Sequence, residues 1–267
     1  MKFIKVILIL FLLSCGTNIE HQDEKPQEKE IISEKETKIS ADTIVTKPTK
    51  IVPKKKKISN TKKDFLSLEN HLIEFGLVDI QKVEPQLIIN LKYSTPDNFV
   101  GIDLYGDLEK VYLQPDVAKK LATAQKFLRE EDSSLNLLVF DGVRPLHIQQ
   151  LMWDTLKLPF HEKTKFLSNP KNRSIHNYGA AVDLSIITQN GEELDMGTPY
   201  DFIGKLAYPR KEQEMLKNGK LSQKQLKNRQ LLRKVMKKAG FSGITTEWWH
   251  FNSCSRKTAK LKYKLVL

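Results

Sequence analysis

The chain has 267 residues, 40% of them hydrophobic and 28% charged, with a formal net charge of +12 and a pI near 9.4. Two cysteines exclude a disulfide-stapled scaffold. The basic balance raises nucleic acid as a partner, but no nucleic-acid-binding signature accompanies it, and a basic surface suits an anionic cell envelope as well.

In chain order, residues 1–15 form a targeting segment. Lys2 and Lys5 supply a short positive region, Val6 to Leu13 an apolar core too short to span a bilayer, and Leu12-Leu13-Ser14-Cys15 resembles a lipobox. The expected product begins at a lipidated Cys15 and sits in the cell envelope, anchored to a membrane on its periplasmic or outer-membrane face; a plain secretory peptide with an incidental cysteine is the simpler alternative. Residues 16–63 are rich in Glu, Lys, Thr and Ser, contain Pro26, Pro48 and Pro53 and have no aromatic residue, so they cannot offset the entropy of ordering and are expected to be a disordered tether. The run Lys54 to Lys57 is a solvated stretch by default, with attraction to anionic lipid or wall polymer as the sharper reading.

The remaining residues, 64–267, suffice for one domain with a substantial core. Asp64 is expected to cap a helix that runs to Phe75 and stops at Gly76, and Leu77 to Tyr93 to hold one or two strands. Asp116 to Glu131 places Val117, Leu121, Ala124 and Leu128 on one helical face, and Leu135 to Phe140 reads as an apolar strand ending at Asp141-Gly142. Pro145 can open the next helix, and Ala180 to Ile186 alternates as a half-buried strand with Asp183 on one face. Asp201 to Asn228 is polar and irregular apart from short helices, Gln225 to Ala239 is a helix stopped by Gly240, and Phe241 to Phe251 returns as strand or turn. The mixture predicts an α+β fold, a small, mainly antiparallel sheet packed against helices.

Two imidazoles and a carboxylate, with a further carboxylate three residues from the second imidazole, are the parts of an open catalytic zinc site. His176, Asp183 and His250 are the candidate ligands of one zinc ion and Glu247 the candidate general base. Taken singly, each of these residues is more often a solvated or hydrogen-bonded group than a ligand. A regular strand would put Glu247 and His250 on opposite faces, so a helical turn, bulge or loop is required there. Cys254, four residues past His250, is expected to be a buried free thiol rather than a fourth ligand.

The pattern S-x-H-x-x-G-x-A-x-D from Ser174 to Asp183, followed by Glu247-Trp248-Trp249-His250, resembles the zinc D-alanyl-D-alanine dipeptidases. Further matching stretches are Tyr93 to Gly101, Phe140 to Pro145 and Met196 to Asp201, in the family's order from about residue 75 to about 253. The resemblance implies hydrolysis of the D-Ala-D-Ala dipeptide by metal-activated water, with Arg144 beside the developing oxyanion, Asp201 holding the dipeptide's ammonium, Ser174 near its terminus and Tyr93 at the pocket. Trp248 and Trp249 are taken as core and pocket wall. The same chemistry on peptidoglycan stems, as a D,D-carboxypeptidase or endopeptidase, is the alternative. An envelope-binding lipoprotein with a structural metal is the reading from another class.

Overall fold

The computed structural model describes residues 62–164 and 167–267, with side chains from residue 68 onward. The signal segment 1–15 with Cys15, and all but the last two residues of the 16–63 stretch, lie outside the described residues. Among the described residues, no helix is long and apolar enough to cross a membrane.

Helix α1 (Lys62–Glu74) begins two residues before the expected cap at Asp64, and Gly76, with φ of 79°, turns the chain after it. The segment expected to hold one or two strands contains two short ones, β1 (Val78–Asp79) and β2 (Ile88–Ile89), separated by the single turn of α2 (Ile80–Val83). Asp79 caps that turn, its Oδ1 accepting from the Gln81 amide at 3.0 Å. β3 (Tyr112–Leu113) pairs antiparallel with β1 and leads into α3 (Pro115–Glu131), where Pro115 occupies a first-turn position that needs no N–H partner. The chain continues through β4 (Leu135–Asp141), α4 (Leu146–Thr155, with Pro145 at its cap), α5 (Phe160–Lys163) and β5 (Ala181–Thr188). It finishes with α6 (Glu212–Lys217), α7 (Gln223–Lys238), β6 (Ser242–Gly243), β7 (His250–Asn252) and α8 (Arg256–Lys262). Helix α7 starts at Gln223 rather than Gln225 because Ser222 and Gln225 form a reciprocal capping box, which makes Gln225 the third helical residue.

The main sheet has the order β2-β4-β5-β7-β6 and is antiparallel except for the β2–β4 pair. Helices α3 and α7 pack on each other, and also against β4 and β5 respectively. This places Leu121, Leu128, Leu232 and Met236 in one buried cluster with Val182 and Leu184. Strand β5 differs from the half-buried strand that its alternation predicts, since Ala181 to Ile186 are buried on both faces. The polar face carrying Asp183 and Ser185 is enclosed by the loops that build the site, so alternation here separates core from pocket rather than core from solvent.

Two local features set the site's frame. In β4, Val139 pairs with Leu184 and Asp141 with Asp183, leaving Phe140 as the extra residue of a β-bulge. Just beyond the bulge the chain passes so close to β3 that a Cβ on Gly142 would lie 2.5 Å from Val111 Cγ1 and 3.0 Å from the Tyr112 carbonyl oxygen. Gly142→Ala is therefore expected to cost about 1–3 kcal/mol through overpacking against backbone. In a domain of this size that is a fall in Tm of several degrees. A thermal melt superimposable on that of the parent protein would show that the close approach has slack.

Candidate metal centre and active site

Neighbouring strands bring the central residues together. Asp183 lies directly opposite His250 in the β5–β7 pair and opposite Asp141 in the β4–β5 pair, so the three side chains form a row on one face of the sheet. His176 comes from the 3-10 turn His176–Tyr178, closed by Gly179 in the left-handed region at φ of 63°. Asn177, fully buried, holds that turn in place: its Nδ2 donates to the Arg144 carbonyl at 2.7 Å and to Gln149 Oε1 at 2.8 Å, and its Oδ1 accepts from the Ser174 amide at 2.6 Å. Glu247 sits in the loop between β6 and β7, which resolves its relation to His250 as a loop rather than a helical turn.

His176 Nε2, His250 Nδ1 and Asp183 Oδ1 converge, with separations of 3.1, 2.9 and 3.4 Å. Ligand atoms bonded tetrahedrally at 2.0–2.1 Å would be spaced by about 3.3 Å, so the triangle has the size of a metal's coordination face. The outer ring nitrogens are engaged elsewhere: His176 Nδ1 is 2.7 Å from the Gly142 carbonyl oxygen and His250 Nε2 is 3.0 Å from Asn252 Oδ1. Both partners accept, so both outer nitrogens carry hydrogen and both inner nitrogens offer lone pairs. Two lone pairs and a carboxylate oxygen meeting in a buried space call for a cation. The three residues form a group able to hold a metal ion. His250 shows the same demand. Burial opposes its positive charge, but Asp183, Glu247 and Asn252 more than offset this and raise its pKa. Asp183 behaves in the complementary way: burial opposes its ionisation, and the two histidines hold it well below the usual carboxylate range.

Around this centre lies a cavity of about 160 Å³, roughly ten times the space one water needs. Its walls include Tyr93, Arg144, Ser174, Asp201, Glu247 and Trp249, so every candidate among the described residues reaches one pocket. Glu247, about a quarter exposed, brings Oε2 within 4.0 Å of His250 Nδ1. Burial, with Asp183 adding to it, raises its pKa above the ordinary glutamate value. Arg144 is fixed from two sides: its Nε and Nη2 donate to Asp141 Oδ2 at 3.1 and 2.6 Å, and its guanidinium lies 4.9 Å from the Tyr93 ring. Arg144 thus makes a buried salt bridge to Asp141 and lines the pocket with the same side chain. Ser174 Oγ accepts from the His176 amide at 3.3 Å, at the base of the turn that carries His176. Asp201 accepts from the Tyr93 hydroxyl at 3.0 Å, and burial together with Asp183 pushes its pKa well above the usual range. Arg173 and Asp201, at φ of 59° and 58°, are the two non-glycine residues with left-handed backbone among the described residues, and both border the pocket residues. Trp248 is core and donates from Nε1 to Thr198 Oγ1 at 2.7 Å, whereas Trp249 faces the pocket.

Three contributors have no role in the motif reading, although Asp141 and Tyr200 lie within the matching stretches. Asp141 is fully buried and joins Arg144 to the Tyr105 hydroxyl, 2.9 Å away. Asn252 follows His250 by two residues in a strand, the spacing that keeps it on the same face, and that was the available signal. Tyr200, beside Asp201, places its hydroxyl 3.0 Å from Asp183 Oδ2. Cys254, expected to be a buried thiol, is free but only half-buried, because it follows β7 where the chain leaves the sheet.

The amino-acid sequence is similar to those of known proteins. The profile of the D-Ala-D-Ala dipeptidase family covers residues 73–264. A D-alanyl-D-alanine dipeptidase of Escherichia coli is 31% identical over 179 residues, spanning 66% of this chain and 83% of the relative. Those of Synechocystis and Enterococcus faecium are 28% and 25% identical, over 70% and 67% of this chain and 89% and 92% of their own lengths. Since the family profile spans most of the chain and includes every residue of the converging cluster, the chain belongs to the D-alanyl-D-alanine dipeptidase family of peptide hydrolases.

Proposed function

We propose that this protein is a zinc-dependent dipeptidase that hydrolyses D-alanyl-D-alanine to D-alanine, with His176, Asp183 and His250 as the metal ligands. The observation that carries this reading is the triangle of two imidazole nitrogens and one carboxylate oxygen, with a further carboxylate beside it and a ligand-sized cavity in front. Two nitrogens and one oxygen in a face of tetrahedral size suit zinc, with one position left for water. Zinc held there supplies a Lewis acid that acidifies water and polarises the peptide carbonyl.

The remaining steps belong to the chain's own groups. Glu247 takes a proton from the attacking water as its oxygen bonds to the carbonyl carbon, then returns that proton to the leaving amine as the C–N bond breaks. Arg144 presents fixed positive charge to the carbonyl oxygen as it becomes anionic, and Asp141 keeps the guanidinium from swinging away. Asp201 accepts the substrate's ammonium, and the Tyr93 hydroxyl orients the Asp201 carboxylate. An acidic group inside the pocket favours a free dipeptide over a peptidoglycan stem, whose corresponding nitrogen is an uncharged amide.

The purified protein is expected to release D-alanine from D-Ala-D-Ala, to lose that activity on chelation and to regain it with zinc. A metal-loaded protein that leaves the dipeptide intact but trims longer muropeptides would transfer the assignment to the stem-peptide alternative. Glu247→Gln should bind metal normally and lose about a hundred- to ten-thousandfold in kcat; a near-parental rate would remove Glu247 as the base. In Asp201→Ala, KM for the free dipeptide should rise while N-acylated analogues are turned over as before. Equal losses on both substrates would speak against an ammonium contact.

A further inference from the structure

Two tyrosines divide the space between Asp183 and Asp201. The Tyr93 hydroxyl donates to Asp201 Oδ2 at 3.0 Å, while the Tyr200 hydroxyl lies 3.1 Å from the Tyr93 hydroxyl and 3.0 Å from Asp183 Oδ2. Asp183 Oδ1 faces the two imidazoles, so Oδ2 is the oxygen turned away from them. Arg144 Nη2 stands 3.6 Å from that oxygen, beyond hydrogen-bond range, because it is committed to Asp141 at 2.6 Å. Tyr200 is therefore the hydrogen-bond donor to Asp183 Oδ2 among the described residues. An ionised carboxylate only accepts, so the phenol proton points at Asp183.

The ring carrying this hydroxyl cannot easily leave. It packs 4.8 Å from Phe140, 5.5 Å from Trp249 and 6.2 Å from Tyr93, centroid to centroid, between the bulge of β4 and the loop before β7. The left-handed turn at Asp201 supplies the remaining geometry. Consecutive residues of an extended segment point to opposite sides, yet here Tyr200 and Asp201 both reach the same Tyr93 hydroxyl.

We propose that Tyr200 is a positioning residue for the metal centre: its hydroxyl occupies Oδ2 of Asp183, so that Asp183 presents Oδ1 alone to the ion, and ties that ligand to the loop carrying Asp201. This rests on the metal site proposed above. Groups that hold a ligand from behind typically govern metal affinity by about 10- to 100-fold. The hydroxyl, and not the aromatic ring, carries the effect.

The test is zinc affinity of the full-length protein, by competition with a chromophoric chelator, for the parent, Tyr200→Phe and Tyr200→Leu, with thermal melts of the metal-free forms. In Tyr200→Phe the metal-free melt should match the parent and zinc should bind about 10- to 100-fold more weakly. Tyr200→Leu should show the same loss of affinity together with a lower melt. Parental zinc affinity in Tyr200→Phe overturns the proposal, and if Tyr200→Leu alone is impaired the residue serves packing only. A parent that binds no zinc would instead overturn the metal assignment itself.

Discussion

The site depends on the cross-strand register of one short row. Asp183, on the central strand, must face the same side as His250 on one neighbour and Asp141 on the other. The β7 partner comes from plain antiparallel pairing. The β4 partner requires the bulge at Phe140, since without it Phe140 would stand opposite Asp183 and Asp141 would be directed to the other face. The bulge thus supplies the anchor for Arg144 and also sends the Gly142 carbonyl to His176 Nδ1.

Charge is balanced within this small volume. Asp141, Asp183, Asp201 and Glu247 surround the buried cation Arg144 and two imidazoles, with the exposed Arg256 at the pocket wall. Burial raises Asp141, Asp201 and Glu247, while the histidines keep Asp183 ionised. An excess of acidic groups over fixed cations is the electrostatic counterpart of the inward lone pairs, and it is the charge pattern on which the proposed metal and ammonium contacts rest. Asp183 and Asp201 lie at opposite ends of the Tyr200–Tyr93 pair, so each carboxylate has its own phenol donor.

The loop that carries Tyr200 and Asp201 has little regular structure, and α7 holds it. Arg229, fully buried in that helix, donates to the Met196 carbonyl at 2.6 Å and the Leu206 carbonyl at 3.0 Å, thereby pinning the segment at both ends. Glu212 lies 3.5 Å from Arg229 and forms a paired contact with Arg233 at 2.8 and 2.6 Å. A buried guanidinium of this kind stabilises only while its partners are in place, which makes the loop's position a property of the whole helix rather than of its own residues.

By itself, the sequence determined the elements whose signals are local. The apolar face of α3, the strand ending at Asp141, the helix opened by Pro145 and the stop at Gly240 follow from periodicity and backbone preference; His176, Asp183, Glu247 and His250 were singled out as residue types at a telling spacing, while Tyr93, Arg144, Ser174 and Asp201 came only from the resemblance to a family. Tertiary structure decided what lies between distant segments. The bulge at Phe140, the enclosure of β5 on its polar face, the parallel pairing of β2, and the tyrosines behind Asp183 and Asp201 depend on partners far away in the chain. No local period encodes which strand a residue will face or which loop will cover it. Those choices are made when the whole chain packs, because only then do buried donors and acceptors have to find one another.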